Sequence, residues 1–160
     1  MKKENIFNFF FVIFIFLLDR LSKVTLINKL ANFDEDEYEI TSFLSLNLIW
    51  NDGIAFGLFS FEKNFLYNFL TVFILIIILL IAYMVKKNEG LKKYSLLMVL
   101  GGALGNFFDR LLNKSVPDFI DFHIGNFHWF IFNIADVFIT IGVIFMILLE
   151  ITDNNSRLKS

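Results

Sequence analysis

The sequence predicts an all-α polytopic membrane protein, with four transmembrane helices and a small β-rich extracytoplasmic cradle. Two observations carry this prediction. The chain has 160 residues, of which 57% are hydrophobic, and these hydrophobic residues fall into four long runs separated by charged or polar loops. A chain this short and this apolar is expected to form one membrane-embedded domain, comprising residues 1–160.

Four segments approach the ~20 apolar residues that a helix needs to cross the hydrocarbon core. The predicted transmembrane helices span approximately residues 6–27, 65–85, 94–112 and 129–149. The first segment also has features of a signal peptide, because Lys2 and Lys3 precede a short apolar core. No A-x-A-like cleavage site follows that core, so we interpret the segment as a retained helix.

Basic residues set the predicted orientation. They lie at both termini and in the loop after the second helix, on one side of a four-helix bundle: Lys2, Lys3, Lys86, Lys87, Lys92, Lys93, Arg157 and Lys159. By the positive-inside rule this side is cytoplasmic. Both termini are therefore predicted to be cytoplasmic, and loops 28–64 and 113–128 extracytoplasmic.

Both extracytoplasmic loops contain patterns typical of strands. The stretch "FLSLNLIW" (43–50) alternates apolar and polar residues with a period of two, and "NDG" (51–53) is typical of a turn. The stretch "DFIDFHIGNFHW" (118–129) predicts a short hairpin around Gly125 and Asn126. Pro117 precedes this hairpin and is expected to help end the third helix.

Three of the predicted helices carry an aspartate at a similar depth. With a rise of 1.5 Å per residue, Asp19, Asp109 and Asp136 each lie roughly 21–24 Å from the cytoplasmic end of their helix. This depth falls in the outer third of a ~30 Å hydrocarbon core. Each helix adds polar neighbours at i+3 or i+4 spacing, namely Lys23, Asn106, Arg110 and Asn133.

Asp136 is the most informative of the three. An aspartate inside a membrane helix costs about 2.5–3.5 kcal/mol on insertion scales and is usually functional. The pairs formed by Asp19 with Lys23 and by Asp109 with Arg110 have an equally good structural explanation, as ion pairs that hold the bundle together.

The predicted span of Asp136 contains no basic residue, so its partner must come from elsewhere. The candidates are Asp118 and Asp121 in the preceding loop. Two carboxylates in a dry site favour aspartic-protease chemistry, because one retains a proton while the other activates water. We expect Asp118 to be the partner and Asp121 to be an exposed loop acid, since residues three apart on a strand project to opposite faces.

Other partners and sites are less consistent with the sequence. The absence of cysteine excludes disulfides, a thiolate nucleophile and cysteine-based metal sites. A zinc site at Asp121, His123 and His128 is a weaker alternative, because their spacing differs from that of helical zinc motifs. We therefore predict no metal and no cofactor. A net charge of −2 without a basic stripe argues against a nucleic-acid partner.

Five motifs resemble, in order, those of bacterial lipoprotein signal peptidases, also called signal peptidase II. They are "DRLSK" (19–23), "NDGIAFG" (51–57), "GGALGNFFDR" (101–110), "VPDF" (116–119) and "FNIAD" (132–136). The resemblance implies a bacterial inner-membrane aspartic peptidase that needs no cofactor. Its partners would be membrane lipids and prolipoproteins, which it would cut before the diacylglyceryl-modified cysteine.

The resemblance also implies roles for individual residues. The catalytic pair would be Asp118 and Asp136. Residues implied to line the site or bind substrate are Asn51, Asn106, Arg110, Asn133, Asp19 and Lys23. Asp109 is implied to give structural support, and Gly101 and Gly105 form a G-x-x-x-G pair that predicts close helix packing. Arg20 departs from the family pattern, which usually has glutamine there.

Two other function classes also explain charged residues at one membrane depth. A proton- or ion-conducting bundle is the first, although the internal repeats and broken helices common in transporters are not evident. An assembly subunit is the second, and it explains the ion pairs but not the unpaired Asp136. The sequence makes no prediction of oligomeric state.

The predicted orientation can be tested by cysteine labelling, because the chain has no cysteine of its own. The thiol of an Asp36→Cys variant should react with a membrane-impermeant maleimide added from outside the inner membrane, since the acidic first loop is predicted to face outward. Labelling only from the cytoplasmic side would reverse the predicted topology.

Overall fold

Four helices and a four-stranded sheet make up the part of the chain described by the computed structural model, which comprises residues 3–30, 37–53 and 63–157. The elements follow in the order α1 (Lys3–Leu30), β1 (Glu37–Thr41), β2 (Leu44–Asn51), α2 (Lys63–Lys87), α3 (Gly90–Asn113), β3 (Val116–Ile124), β4 (Phe127–Phe132) and α4 (Ile134–Arg157). The sheet makes the all-α description too narrow: the protein is mostly helical with a small antiparallel sheet.

Among the described residues, three helices are long and apolar enough to cross a membrane. Their candidate spans are Tyr67–Lys87 in α2, Gly90–Asn113 in α3 and Ile134–Asp153 in α4. Helix α1 is not among them, and it carries Asp19, Arg20 and Lys23 in its second half. The fourth predicted transmembrane helix therefore stays a prediction.

The fourth helix begins later than the sequence predicted. It starts at Ile134, whereas the predicted helix 129–149 began at Trp129. Residues 127–132 instead form β4, which pairs with β3. The sequence "FHWFIF" is aromatic and β-branched, so it suits a strand, but a short apolar run next to an apolar helix cannot be separated from it by hydrophobicity alone.

The four strands form an antiparallel sheet in the order β1-β2-β3-β4. The predicted strand at 43–50 and the hairpin around Gly125 and Asn126 are confirmed by β2 and by the β3–β4 pair. β1 was not predicted. Residues 54–57 of the "NDGIAFG" motif lie outside the described residues. In the β2–β3 register Ile49 lies opposite Asp118, which fixes that carboxylate within a central strand.

Helix α3 packs against all three other helices, and its glycines allow the close approach. Gly101 and Gly105 both face α1, where a Cβ atom on Gly105 would lie 2.5 Å from Oδ2 of Asp19. Gly102 faces α4, where a Cβ atom would lie 2.5 Å from the carbonyl oxygen of Ala135. Small residues at such positions let helix backbones pack closely in membranes.

Ion pairs join three helices at the end of the bundle remote from the sheet. Nζ of Lys93 in α3 lies 2.7 Å from Oε1 of Glu4 in α1. Nζ of Lys92 lies 3.0 Å from Oε2 of Glu150 and 2.6 Å from Oδ2 of Asp153, both in α4. Helices α1 and α3 therefore start at the end where α4 finishes, which brings the last turns of α1 and α3 near the first turn of α4.

Candidate active site

Asp136 lies in the first turn of α4 rather than inside a longer helix. Asn133 immediately precedes the helix, and its side-chain Oδ1 accepts a hydrogen bond of 3.1 Å from the backbone N–H of Asp136. Oδ2 of Asp136 in turn accepts a 3.1 Å hydrogen bond from the backbone N–H of Asn133. This is a reciprocal capping box, and the positive end of the helix dipole favours a carboxylate there.

Asp118 comes to the same place from strand β3. Its Oδ1 accepts a 2.6 Å hydrogen bond from Nδ2 of Asn133, and its Oδ2 accepts a 2.9 Å hydrogen bond from Nδ2 of Asn51. Asn133 therefore donates to both aspartates, through its side chain to Asp118 and through its backbone to Asp136. Asp118 and Asp136, the aspartate pair expected from the sequence, are thus held on either side of Asn133.

Burial raises the pKa of the Asp118 carboxyl above its ordinary value, and the nearby charge of Asp136 raises it further, against the lowering effect of the hydrogen bonds from Asn51 and Asn133. A buried carboxyl beside another carboxyl group tends to keep its proton. Both effects therefore favour the protonated form of Asp118.

The "NDG" sequence at the end of β2 holds Asn51 in position. Its Oδ1 accepts a 2.8 Å hydrogen bond from the backbone N–H of Gly53, which leaves its Nδ2 free to donate to Asp118. Gly53 has φ of 73°, a conformation that glycine adopts without strain. Its Cα also lies against Arg110, since an added Cβ would be 3.6 Å from Nη2 of that side chain.

Lys23 is fully buried and makes three hydrogen bonds. Its Nζ donates to Oδ2 of Asp19 at 2.8 Å, to Oδ1 of Asn106 at 2.9 Å and to Oδ2 of Asp109 at 2.6 Å. An ammonium group has three donors, so all of its donors are used. The polar residues predicted to share one depth on α1 and α3 are thus brought together around one charge.

Asn106 connects this cluster to Asp136. Its Oδ1 accepts from Lys23, and its Nδ2 donates to Oδ1 of Asp136 at 2.7 Å. An ammonium group can only donate and a carboxylate can only accept, so the two charges determine which way the amide points. Asp136 thus receives a hydrogen bond from a residue of α3, in addition to its contacts at the start of α4.

Asp19 and Asp109 each make a second contact besides the one to Lys23. Oδ1 of Asp19 accepts a 3.0 Å hydrogen bond from the backbone N–H of Ala135, at the start of α4. Oδ1 of Asp109 accepts a hydrogen bond from Arg20 of α1. The sequence analysis missed this role for Arg20, because the partner lies on another helix and no local spacing indicates it.

Arg110 lies next to Asn106 and has an unused donor. Its Nη1 donates to the backbone oxygen of Asn106 at 3.3 Å. Its Nε is buried and has no hydrogen-bond partner among the described residues. The backbone oxygen of Arg110 accepts from the Tyr67 hydroxyl, a contact from α2 that sequence reasoning did not identify. Arg110 thus keeps a buried N–H donor that no acceptor among the described residues satisfies.

Comparison with known proteins identifies the family. Residues 11–152 match a family model described as signal peptidase (SPase) II. The chain belongs to the signal peptidase II family. The lipoprotein signal peptidase of Pelagibacter ubique is 46% identical over 98% of this chain and 97% of its own. That of Janthinobacterium sp. is 39% identical over 82% and 79%.

Two solved structures have a fold similar to that of this chain. A bacterial membrane enzyme determined by the in meso method at 2.3 Å resolution has a TM-score of 0.77 and 30% identity, covering 93% of this chain and 90% of its own. A second, at 1.9 Å, has a TM-score of 0.75 and 31% identity, covering 91% and 93%.

The predicted enzyme class, aspartic endopeptidase, is confirmed by membership of the signal peptidase II family. The alternative of an ion-conducting bundle is not supported.

The side chain of Asp121 contacts His128, and no hydrogen bond among the described residues joins it to Asp118 or Asp136. The Asp121 side chain is fully buried, so the expectation of an exposed loop acid was wrong. Its Oδ2 lies 2.7 Å from Nδ1 of His128 across the β3–β4 hairpin. A carboxylate in an irregular loop would be exposed, but Asp121 lies on β3, a central strand that pairs with β2 on one side and β4 on the other.

A cavity of about 460 Å³ opens beside Asp136. Its walls are mainly aromatic and aliphatic, with Phe122, Trp129, Phe130 and Phe132 from the hairpin and Val137 from α4. Because residues 127–132 form a strand rather than extending the helix, their aromatic side chains and the first turns of α4 line this space together. An apolar ligand in the cavity would therefore be next to one carboxylate of the pair.

The buried Lys23 cluster gives a test of stability. Lys23→Met should leave Asp19 and Asp109 buried without their shared cation, and breaking a buried ion pair in this way typically costs about 3–5 kcal/mol. The melting temperature in detergent should fall sharply, whereas exposed Lys86→Met should leave it almost unchanged. Adding Asp19→Asn and Asp109→Asn to Lys23→Met should restore part of the loss. A Lys23→Met protein as stable as the parent would contradict the role of this cluster.

Proposed function

We propose that this chain removes the signal peptide from diacylglyceryl-modified prolipoproteins, cutting before the lipidated cysteine with Asp118 and Asp136 as the catalytic pair. The observation that carries the proposal is the position of Asn133, which donates hydrogen bonds to both carboxylates. A water molecule between the two carboxylates would meet a proton donor and a proton acceptor, as aspartic peptidases require.

In the proposed mechanism the pair shares one proton, and its titration belongs to both residues. The raised pKa of Asp118 makes it the holder of that proton. Asp136 takes a proton from the attacking water, and Asp118 donates a hydrogen bond to the scissile carbonyl oxygen. The tetrahedral intermediate then collapses as the proton taken by Asp136 passes to the leaving amine, so no covalent enzyme intermediate is formed.

Several neighbours would position the substrate. The unpaired Nε of Arg110 is suited to a backbone carbonyl of the substrate or to the developing oxyanion. The Asn51 and Asn106 amides hold the carboxylates in a fixed orientation. The apolar cavity beside Asp136 suits the hydrocarbon of the diacylglyceryl group or the apolar end of the signal peptide.

We further propose that α1 is the fourth transmembrane helix, in the bacterial inner membrane, with the site near the extracytoplasmic face. With 28 residues, α1 is ~42 Å long at 1.5 Å per residue. The charges of Lys23 and Arg20 are met by carboxylates inside the bundle. Its outer surface exposes apolar side chains, including Phe10 and Phe14. Charged residues in membrane helices are tolerated when they face the interior and are paired.

Cleavage of a diacylglyceryl-modified prolipoprotein by purified protein tests the catalytic pair. Asp118→Asn and Asp136→Asn should each lower kcat by at least about a hundredfold, because each removes a proton carrier, without loss of folded protein. Glu39→Gln, which alters an exposed carboxylate on β1, is the matched control and should remain active.

Asp121→Asn should also cleave, because the Asp121 carboxylate contacts His128 and not the pair. An inactive Asp121→Asn protein together with an active Asp118→Asn protein would reassign the partner of Asp136. An active Asp136→Asn protein would overturn the aspartic mechanism for this pair.

The hydrogen bond from Asn51 predicts a shift in the pH profile. This bond lowers the pKa of Asp118, so Asn51→Ala should raise that pKa further. Asp118 would then keep its proton to higher pH, and the alkaline limb of kcat/KM should move upward in pH. Asn47→Ala, on the same strand, should leave the profile unchanged. An alkaline limb that stays in place or moves to lower pH would contradict Asp118 as the proton holder.

A further inference from the structure

A second cluster of ligand-type side chains lies on the β3–β4 hairpin, apart from the aspartate pair. One ligand atom each from Asp121, His123 and His128 lies within 4.8 Å of the others. Oδ2 of Asp121 is 2.7 Å from Nδ1 of His128, and the two imidazole centroids are 5.3 Å apart. These are the only two histidines in the chain.

The strand geometry explains why Asp121, His123 and His128 lie close together although they are separated in the sequence. Asp121 and His123 are two residues apart in β3, so they project to the same face. His128 in β4 lies opposite His123 in the antiparallel register, next to a bulge between Phe122 and His123. Directly opposed residues on one face have their side chains close together. The hairpin thus brings together three groups whose sequence spacing matches no helical zinc motif.

Several polar atoms at this cluster are buried without a partner. Oδ1 of Asp121 and Nδ1 of His123 have no hydrogen-bond partner among the described residues, and neither does Oγ of Ser45, which lies opposite Asp121 on β2. Leaving a buried polar atom without a hydrogen-bond partner is unfavourable, because the atom has lost its contacts with water. The Asp121–His128 contact accounts for only one carboxylate oxygen, so a simple ion pair explains neither Oδ1 of Asp121 nor the His123 ring.

We propose that Asp121, His123 and His128 form a Zn²⁺ site. Two imidazoles and one carboxylate are a donor set that zinc binds, with ligand distances of about 2.0–2.2 Å. Two ligands of one tetrahedral ion then lie roughly 3.4 Å apart, which small side-chain rotations reach from the present separations. The fourth position would take water, with the Ser45 hydroxyl as a neighbouring hydrogen-bond partner. The partly exposed His128 gives the ion access from solvent.

The bound ion would join β3 to β4 near the end of the hairpin. Asp118 lies three residues before Asp121 on β3, and Asn133 follows directly after β4. Zinc would therefore stabilise the two strands that carry these residues to the active site, without taking part in the reaction. This inference does not depend on the proposed function, because it concerns binding and stability.

Zinc binding by the full-length protein tests the site. The protein would be purified in detergent with its affinity tag removed, stripped with EDTA, and titrated with Zn²⁺ by calorimetry. One ion per chain should bind with a Kd in the micromolar range or below, and the melting temperature should rise. NMR of histidine-labelled protein should contain two imidazole signals, both shifting with the same zinc dependence.

His123→Gln and His128→Gln should each weaken zinc binding at least tenfold. Asn126→Gln, which changes an exposed polar residue in the turn of the same hairpin, should bind like the parent. If a histidine variant fails to fold, the NMR titration of the parent decides alone. The proposal is overturned if the parent binds no stoichiometric zinc below millimolar concentration, if only one imidazole signal responds, or if both histidine variants bind like the parent.

Discussion

The buried ammonium group of Lys23 is the interaction on which the rest of the structure depends. The desolvation cost of a buried charge must be offset by hydrogen bonds and opposite charges. Lys23 obtains these from three acceptors on α1 and α3. Two of these acceptors reach onward to α4, because Asp19 meets the backbone of Ala135 and Asn106 meets Asp136. One cation thereby fixes how three helices meet at the end of the bundle where the aspartate pair lies.

The sheet supplies Asp118, the second carboxylate of the aspartate pair. Asp136 is held by helix contacts, but Asp118 lies on β3 and is positioned by its neighbours in the sheet and by Asn51 at the end of β2. The pair therefore forms where a helical bundle and a sheet meet. Each half supplies one carboxylate, which explains why the cradle packs directly against the polar layer of the bundle.

Much of this arrangement was predictable from the sequence, because helical rise and spacing are regular. The common depth of Asp19, Asp109 and Asp136 follows from counting residues. The start of α4 did not follow, since aromatic strand residues and an apolar helix have similar hydrophobicity. The contact between Arg20 and Asp109 and the burial of Asp121 were also missed, because both depend on which elements pack together and leave no local pattern.

The single residue between β4 and α4 has a consequence for which sequences the fold accepts. Asn133 must offer an oxygen to the first turn of α4 and an amide hydrogen to Asp118. Among the residues that commonly begin helices, serine and threonine are too short to serve both contacts, aspartate would repel Asp118, and glycine has no side chain. Asparagine alone among them meets both demands, so this position should tolerate almost no variation even where the surrounding apolar residues exchange freely.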